Sequence, residues 1–240
     1  MQQFNTLDAQ WAEYTNADSM RSCAQNPALL AVMDEQHVSY LRILEIGCGE
    51  GRLARALEEK YGATIVAFDS AENSIRIADE ILAQHPQKIQ YSVSTASEFR
   101  EQAGSYEAAV SVMVIPYAGN TQELKEFFAC AKYHLKPEAH FTSVIFRPEF
   151  TNFDVQVNNR IFSRINSDGM RITFLAPSGS ANFSAEVQKR FSKQEYTTAA
   201  HSAGFTNVRW HPVMPVPGAE DKGEWAEYKK DPPYELIEVW

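Results

Sequence analysis

Between Arg42 and Phe146 the chain alternates strand-like apolar runs with helical segments, and this rhythm restricts it to a mostly parallel sheet covered by helices. The runs "YLRILEI", "ATIVAF", "KIQYSV", "SYEAAVSVMVI" and "EAHFTSVIF" predict five strands. The fourth is apolar enough to be buried on both faces. Between them, Gly51 to Tyr61 predicts a helix with Leu53, Leu57 and Tyr61 on one face. "SAENSIRIADEILAQHP" predicts another, with Ser70 suited to cap it and Pro86 to end it. A third follows Asn120 and Glu123, which have capping-box spacing, and buries Leu124, Phe127, Phe128 and Ala131. Strands joined through helices in this way connect with a right-handed crossover.

The flanks depart from that rhythm. "LDAQWAEY" and "PALLAVMDEQ" have helical spacing and predict a helical cap over residues 1–38, ahead of a core at 39–150. Over residues 151–192, "NRIFSRI", "GMRITFLA" and "SAEVQKRF" form three β-like runs separated by turn residues, which predicts a small antiparallel insertion serving as a lid or a subunit contact. Residues 193–240 predict a helix ending at Gly204, a sixth parallel strand at "TNVRWH", one or two helical turns at "GEWAEYKK", and a last strand at "YELIEVW". At 240 residues, one domain is the expectation.

The turn after the first strand, "LEIGCGEG", is where a ligand belongs. Gly47 and Gly49 permit a sharp turn and close approach, and the helix that follows offers unsatisfied backbone donors. The dinucleotide fingerprint G-x-G-x-x-G requires a third glycine where Arg52 stands, and no G-K-[ST] phosphate loop occurs. The spacing is instead E-x-G-x-G-x-G. The acid at its head, Glu45, suits an amine-bearing or cationic ligand better than a pyrophosphate. Asp69, at the end of the second strand and 22 residues after Gly47, is positioned to accept two ribose hydroxyls.

In "LEIGCGEG", "VAFDSAENSI", "YEAAVSVMVI" and "LKPEAHFTSVIF", taken in that order, the chain resembles the class I S-adenosylmethionine-dependent methyltransferases. "WAEYTNADSMR", "YAGNTQELKEFF" and "GAEDKGEWAEYKKDPPYELI" are similar to the toxoflavin-biosynthesis type of small-molecule N-methyltransferase. The resemblance implies a single α/β methyltransferase domain over 1–240: a Rossmann-like, seven-stranded, mostly parallel sheet with helices on both faces. It implies S-adenosyl-L-methionine as cofactor, with Gly47, Gly49 and Gly51 against the methionine moiety and Asp69 on ribose. Glu45, Cys48 and Ser70 flank those positions, and Cys48 supplies a small side chain beneath the ligand rather than a nucleophile. Thr95 and Ala96 stand where the family reads adenine, Met113 closes the fourth strand, and Tyr14 and Arg21 cover the ligand from the N-terminal cap. "LKPEAH" lacks the usual Gly-Gly, and "VIPY" lacks the leading Asp or Asn of the motif used on DNA bases and glutamine amides.

The rim beyond the strand ends carries Tyr117, Glu149 and His211. Glu149 or His211 is basic enough near neutrality to take a proton from the acceptor, whereas Tyr117 orients it by a hydrogen bond. The net charge of −9 argues against a nucleic-acid partner. Three cysteines without a C-x-x-C pair, no secretory leader pattern and no 18-residue apolar run predict a cytoplasmic protein that neither spans nor binds a membrane. No metal-ligand spacing occurs. The expectation is methyl transfer to nitrogen or oxygen of a small-molecule acceptor by a monomer or homodimer. A noncatalytic nucleoside-binding module and an NAD-dependent oxidoreductase are the alternatives.

Overall fold

The computed structural model describes residues 19–36, 39–175, 182–219 and 223–240. Five strands, β1 (Arg42–Ile46), β2 (Thr64–Asp69), β3 (Ile89–Val93), β4 (Tyr106–Val112) and β5 (Leu135–Phe146), pair in parallel. The insertion contributes β6 (Gln156–Val157), β7 (Arg160–Arg164), β8 (Met170–Phe174) and β9 (Phe183–Val187) as a separate antiparallel sheet in chain order. Two last strands, β10 (Val208–Pro212) and β11 (Tyr234–Val239), complete the main sheet, whose order is β10-β11-β5-β4-β1-β2-β3.

β11 runs antiparallel between β5 and β10. The strand at 208–212 therefore points the same way as β5, but its only partner in the sheet is the antiparallel β11. Local pattern supplies a strand's existence but not its neighbour. The insertion also has four strands rather than three, because β6 is a two-residue bridge too short to show any alternation.

Helices cover both faces. α1 (Asn26–Glu35), α2 (Arg52–Tyr61) and α3 (Glu72–Gln84) lie on one side, and α4 (Thr121–His134) and α5 (Lys193–Ser202) on the other; α6 (Ala226–Lys230) precedes β11. Period-2 alternation in the strands feeds two cores. Ile43, Ile65 and Val110 pack with Leu29, Leu53 and Leu57, whereas Leu44, Val66 and Phe68 pack with Leu124, Phe128 and Ala199. The inner face of the insertion, including Phe162, Met170 and Ile172, belongs to the first of these cores.

Side-chain capping explains two of the helix starts, those of α4 and α5. Asn120 Oδ1 accepts from the Gln122 and Glu123 N–H groups, while the Glu123 carboxylate turns to the Gly119 N–H and the Asn120 amide, leaving the box half formed. Ser192 and Glu195 make a complete box on α5. Ser70 does not cap α3; the N-cap is Ala71, whose N–H donates to Asp69 Oδ1 at 2.9 Å. Ahead of α1, residues Arg21–Gln25 form a π turn closed by the Asn26 N–H donating to the Arg21 carbonyl. The predicted helix at "LDAQWAEY" lies outside the described residues.

Candidate active site

A cleft with about 1090 Å³ of empty space, open to solvent, runs along the carboxyl ends of β1, β2 and β4 and beneath the insertion. At one end lies the glycine turn. The Gly47 and Cys48 N–H groups both donate to the Phe68 carbonyl, which stitches the turn to the end of β2. Gly47, Gly49 and Gly51 all have positive φ, the left-handed region that favours glycine. Their surroundings differ. A methyl group at Gly47 would meet Val114 at 2.3 Å and one at Gly51 would meet the Tyr91 hydroxyl at 2.1 Å, whereas one at Gly49 would meet nothing within 4 Å. Two of the glycines make room for protein, and the third borders open cleft.

Asp69 is anchored rather than free. Its Oδ2 accepts from the Gly49 N–H at 2.8 Å and its Oδ1 from the Ala71 N–H at 2.9 Å. A carboxylate has about four acceptor positions, so these bonds orient it and leave capacity for two hydroxyls. Burial pushes its carboxyl up, opposed by the N–H groups of Ala71, Gly49 and Ser70. Met113 has φ +59, uncommon for a non-glycine residue, and its N–H donates to the Val144 carbonyl across β5.

The other end of the cleft is aromatic and comes from different elements. Tyr117 and Phe146 meet edge to face at 6.1 Å, Phe146 and Tyr234 lie 5.7 Å apart, and Phe174 of β8 closes the wall from the insertion. The buried Arg160 guanidinium of β7 sits over the rings of Phe174 and Tyr234 and donates to the Tyr234 hydroxyl. Burial pushes the Tyr117 hydroxyl up, which favours its protonated form.

The cleft brings together Arg21, Gly47, Cys48, Gly49, Asp69, Ser70, Met113 and Tyr117 from the sequence-predicted residues. Gly51 stands just behind it as the N-cap of α2. Glu45 lies beneath the turn, buried, with Oε2 unpartnered; burial pushes its carboxyl up to about 8, and the charges of Arg21 and Arg55 pull it down. The Cys48 thiol is buried and its pKa is raised, as suits an inert packing group. Thr95 and Ala96 are not in the cleft lining: Thr95 Oγ1 turns to Ser97 and Glu98, and Ala96 is buried in the second core. Tyr14 lies outside the described residues.

Glu149 and His211 also miss the cleft. Glu149 is exposed and faces Lys193 at 3.7 Å. His211 lies within β10, not beyond it, because the strand continues to Pro212. Its Nε2 pairs with Glu238 Oε2 at 2.8 Å, while His140 Nδ1 pairs with Glu238 Oε1 at 2.7 Å and the Gln36 amide donates to that same oxygen at 3.0 Å. This cluster clasps α1 to the sheet. Despite the opposing effect of burial, hydrogen bonds from His140, His211 and Gln36 hold the Glu238 carboxyl down at about 2, below its ordinary 4.5. A depressed carboxyl contributes stability that is present above pH 4.5 and lost as pH falls toward 2. The Glu238→Gln protein is accordingly expected to melt below the parent at pH 6, with the gap narrowing on acidification; equal gaps at pH 6 and pH 2.5 in thermal unfolding would contradict the clasp.

Sequence reasoning missed Gln25, Arg160, Phe174 and Tyr234. Arg160 and Phe174 sit on the alternating inner face of the insertion, a signal that gives burial but not the direction of the cleft. Among the described residues, no three His, Cys, Asp or Glu side chains converge as metal ligands, and no helix is long and apolar enough to cross a membrane.

The strand order, the glycine turn and the cleft above it define the class I methyltransferase fold. Residues 43–138 match the family model described as "Methyltransferase domain". An S-adenosylmethionine-dependent methyltransferase from Clostridium acetobutylicum superposes with a TM-score of 0.69 at 15% identity, covering 98% of both chains. The Burkholderia thailandensis 1,6-didemethyltoxoflavin-N1-methyltransferase superposes with a TM-score of 0.59 at 15% identity, over 95% of this chain and 83% of that one. In sequence, the ubiquinone biosynthesis O-methyltransferase of Rickettsia akari is 32% identical over 102 residues. That match covers 42% of this chain and only 39% of the relative's length.

Proposed function

We propose that this protein transfers a methyl group from S-adenosyl-L-methionine to a nitrogen or oxygen of a small molecule. The observation that carries the reading is the division of one cleft into a nucleoside end, built from the glycine turn and the anchored Asp69, and an aromatic end roofed by the insertion. The residues fit such a ligand: Gly49 faces open cleft, and Asp69 retains acceptor capacity. The names of the relatives divide between oxygen and nitrogen acceptors, so the atom class stays as broad as they are.

When bound, the cofactor supplies a methyl group on a sulfonium; transfer breaks the S–CH₃ bond, forms the acceptor–CH₃ bond, and leaves the acceptor's proton to pass to solvent. Asp69 and the glycine turn would fix the nucleoside at one end of the cleft. The aromatic rings would hold the acceptor in line and exclude water, and alignment of this kind supplies much of the rate in an in-line substitution. Tyr117, protonated, would donate a hydrogen bond to a polar group beside the reacting atom of the acceptor, orienting it while the reacting lone pair stays free. Neither Glu149 nor His211 takes part, and no metal is invoked.

Titration calorimetry with S-adenosylhomocysteine tests the reading. Saturable binding with a micromolar dissociation constant is the expected outcome; folded protein that gives no heat with this ligand or with S-adenosylmethionine would refute it.

A further inference from the structure

Gln25 is the one polar side chain in the cleft lining that is both buried, at 1% exposure, and without a hydrogen-bond partner at either end of its amide among the described residues. An amide left dry and unpaired costs more than an apolar side chain of the same shape would, so its retention calls for a ligand. Its position is set by the π turn. Five residues in one turn bring Arg21 and Gln25, four apart, to the same side, and single π turns of this kind occur often at functional sites. Both residues line the cleft. Arg21 lies close enough to the glycine turn for its charge to act on Glu45 beneath the turn and on Arg52 beside it.

A group bound at that position lies beside a guanidinium and a carboxamide. The carboxamide offers one acceptor and two donors without adding charge. Its complement is a ligand group that carries a donor and an acceptor side by side, and an α-amino acid is such a group: its ammonium donates and its carboxylate accepts. We propose that Gln25 binds the amino-acid end of the nucleoside ligand, its oxygen accepting from the ammonium and its nitrogen donating to the carboxylate, beside Arg21. This assignment rests on the methyltransferase reading and adds a residue to it. It also explains the orphaned amide as a site held ready and satisfied only when ligand arrives.

The test compares S-adenosylhomocysteine with 5′-methylthioadenosine, which keeps the ribose and base and lacks the amino acid. In calorimetry, Gln25→Leu is expected to weaken S-adenosylhomocysteine about tenfold or more and to leave methylthioadenosine within about twofold, since hydrogen bonds to charged groups are among the stronger ones. The same variant without ligand is expected to melt at or above the parent temperature, because an unpaired amide has been replaced by an apolar group of similar volume. Gln25→Met serves as the second variant and carries the same expectations. Unchanged affinity for S-adenosylhomocysteine in both variants overturns the proposal, as does an equal loss for both ligands, which would place the effect at the nucleoside end. If the parent protein binds methylthioadenosine and not S-adenosylhomocysteine, the amino-acid end has no site and the proposal fails alone. If it binds neither, the methyltransferase reading fails first.

Discussion

The Asp69→Ala protein is expected to fold and to bind S-adenosylhomocysteine about 100-fold more weakly than the parent. The figure follows from two hydrogen bonds between hydroxyls and a buried carboxylate, each worth about 1.5 kcal/mol or more. Asp69 also accepts from Gly49 and Ala71, so the substitution releases two backbone donors and is expected to cost about 1 kcal/mol of stability through those lost hydrogen bonds. Asp69→Asn separates these effects, since its amide keeps one acceptor for the backbone and presents a donor where the second oxygen stood. Both variants should lose 5′-methylthioadenosine as well, because the ribose is common to the two ligands. Gln25 variants are expected to lose S-adenosylhomocysteine alone, so the two residues report on different ends of the same molecule. Calorimetry showing unaltered affinity in Asp69→Ala would remove the carboxylate from the ribose site.

The second large effect concerns two neighbouring glycines with different duties. Gly47→Ala brings a methyl group to 2.3 Å from Val114, at a φ of +73. Overpacking and left-handed strain together are expected to cost roughly 3 kcal/mol. For a chain of this length that lowers the melting temperature by roughly 6–12 °C. Gly49→Ala has the strain without the collision, about 1 kcal/mol, because its added methyl group meets no protein atom. It points into the cleft instead. Gly49→Ala is therefore expected to melt close to the parent while losing S-adenosylhomocysteine at least tenfold. Scanning calorimetry paired with titration decides it: if Gly49→Ala binds normally, or if Gly47→Ala is as stable as the parent, the division of labour in the turn is wrong.

The main sheet was legible from Arg42 to Phe146 because β1, β2 and β4 are largely buried and each is followed by its own turn and helix, while β3, half exposed at the sheet edge, still carries a β-rich run. The five parallel strands fall within a few residues of the predicted runs, and helices lie on both faces as the resemblance implies. What local pattern cannot carry is pairing. β11 intervenes between β5 and β10, so "TNVRWH" could be read as a strand but not assigned its neighbour. His211 followed from that gap. Placed beyond a strand it would have been a rim residue; inside β10 it reaches Glu238 on the adjacent strand.

The site was legible in the same uneven way. The glycine turn and Asp69 are contiguous motifs whose backbone demands are written in residue type. The aromatic end comes from residues as distant as Tyr117, Phe146, Phe174 and Tyr234, and no spacing links them. Gln25 had one faint signal, a polar amide directly ahead of a proline-started apolar helix, but sequence does not distinguish a π turn from an ordinary first turn.

The insertion has a consequence for how such a chain can change its preferences. Part of the wall that would touch the acceptor comes from a stretch whose inner side chains, Arg160, Ile172 and Phe174, belong to β7 and β8, whereas the nucleoside would be held by turns elsewhere in the chain. Selectivity can therefore drift, or be redesigned, through a handful of alternate positions on two short strands while the energy source of the reaction is left intact. Because that roof shares its apolar underside with the main core, the exchanges that survive will be those that conserve volume: a new guest must be accommodated by reshaping a ceiling that also bears weight.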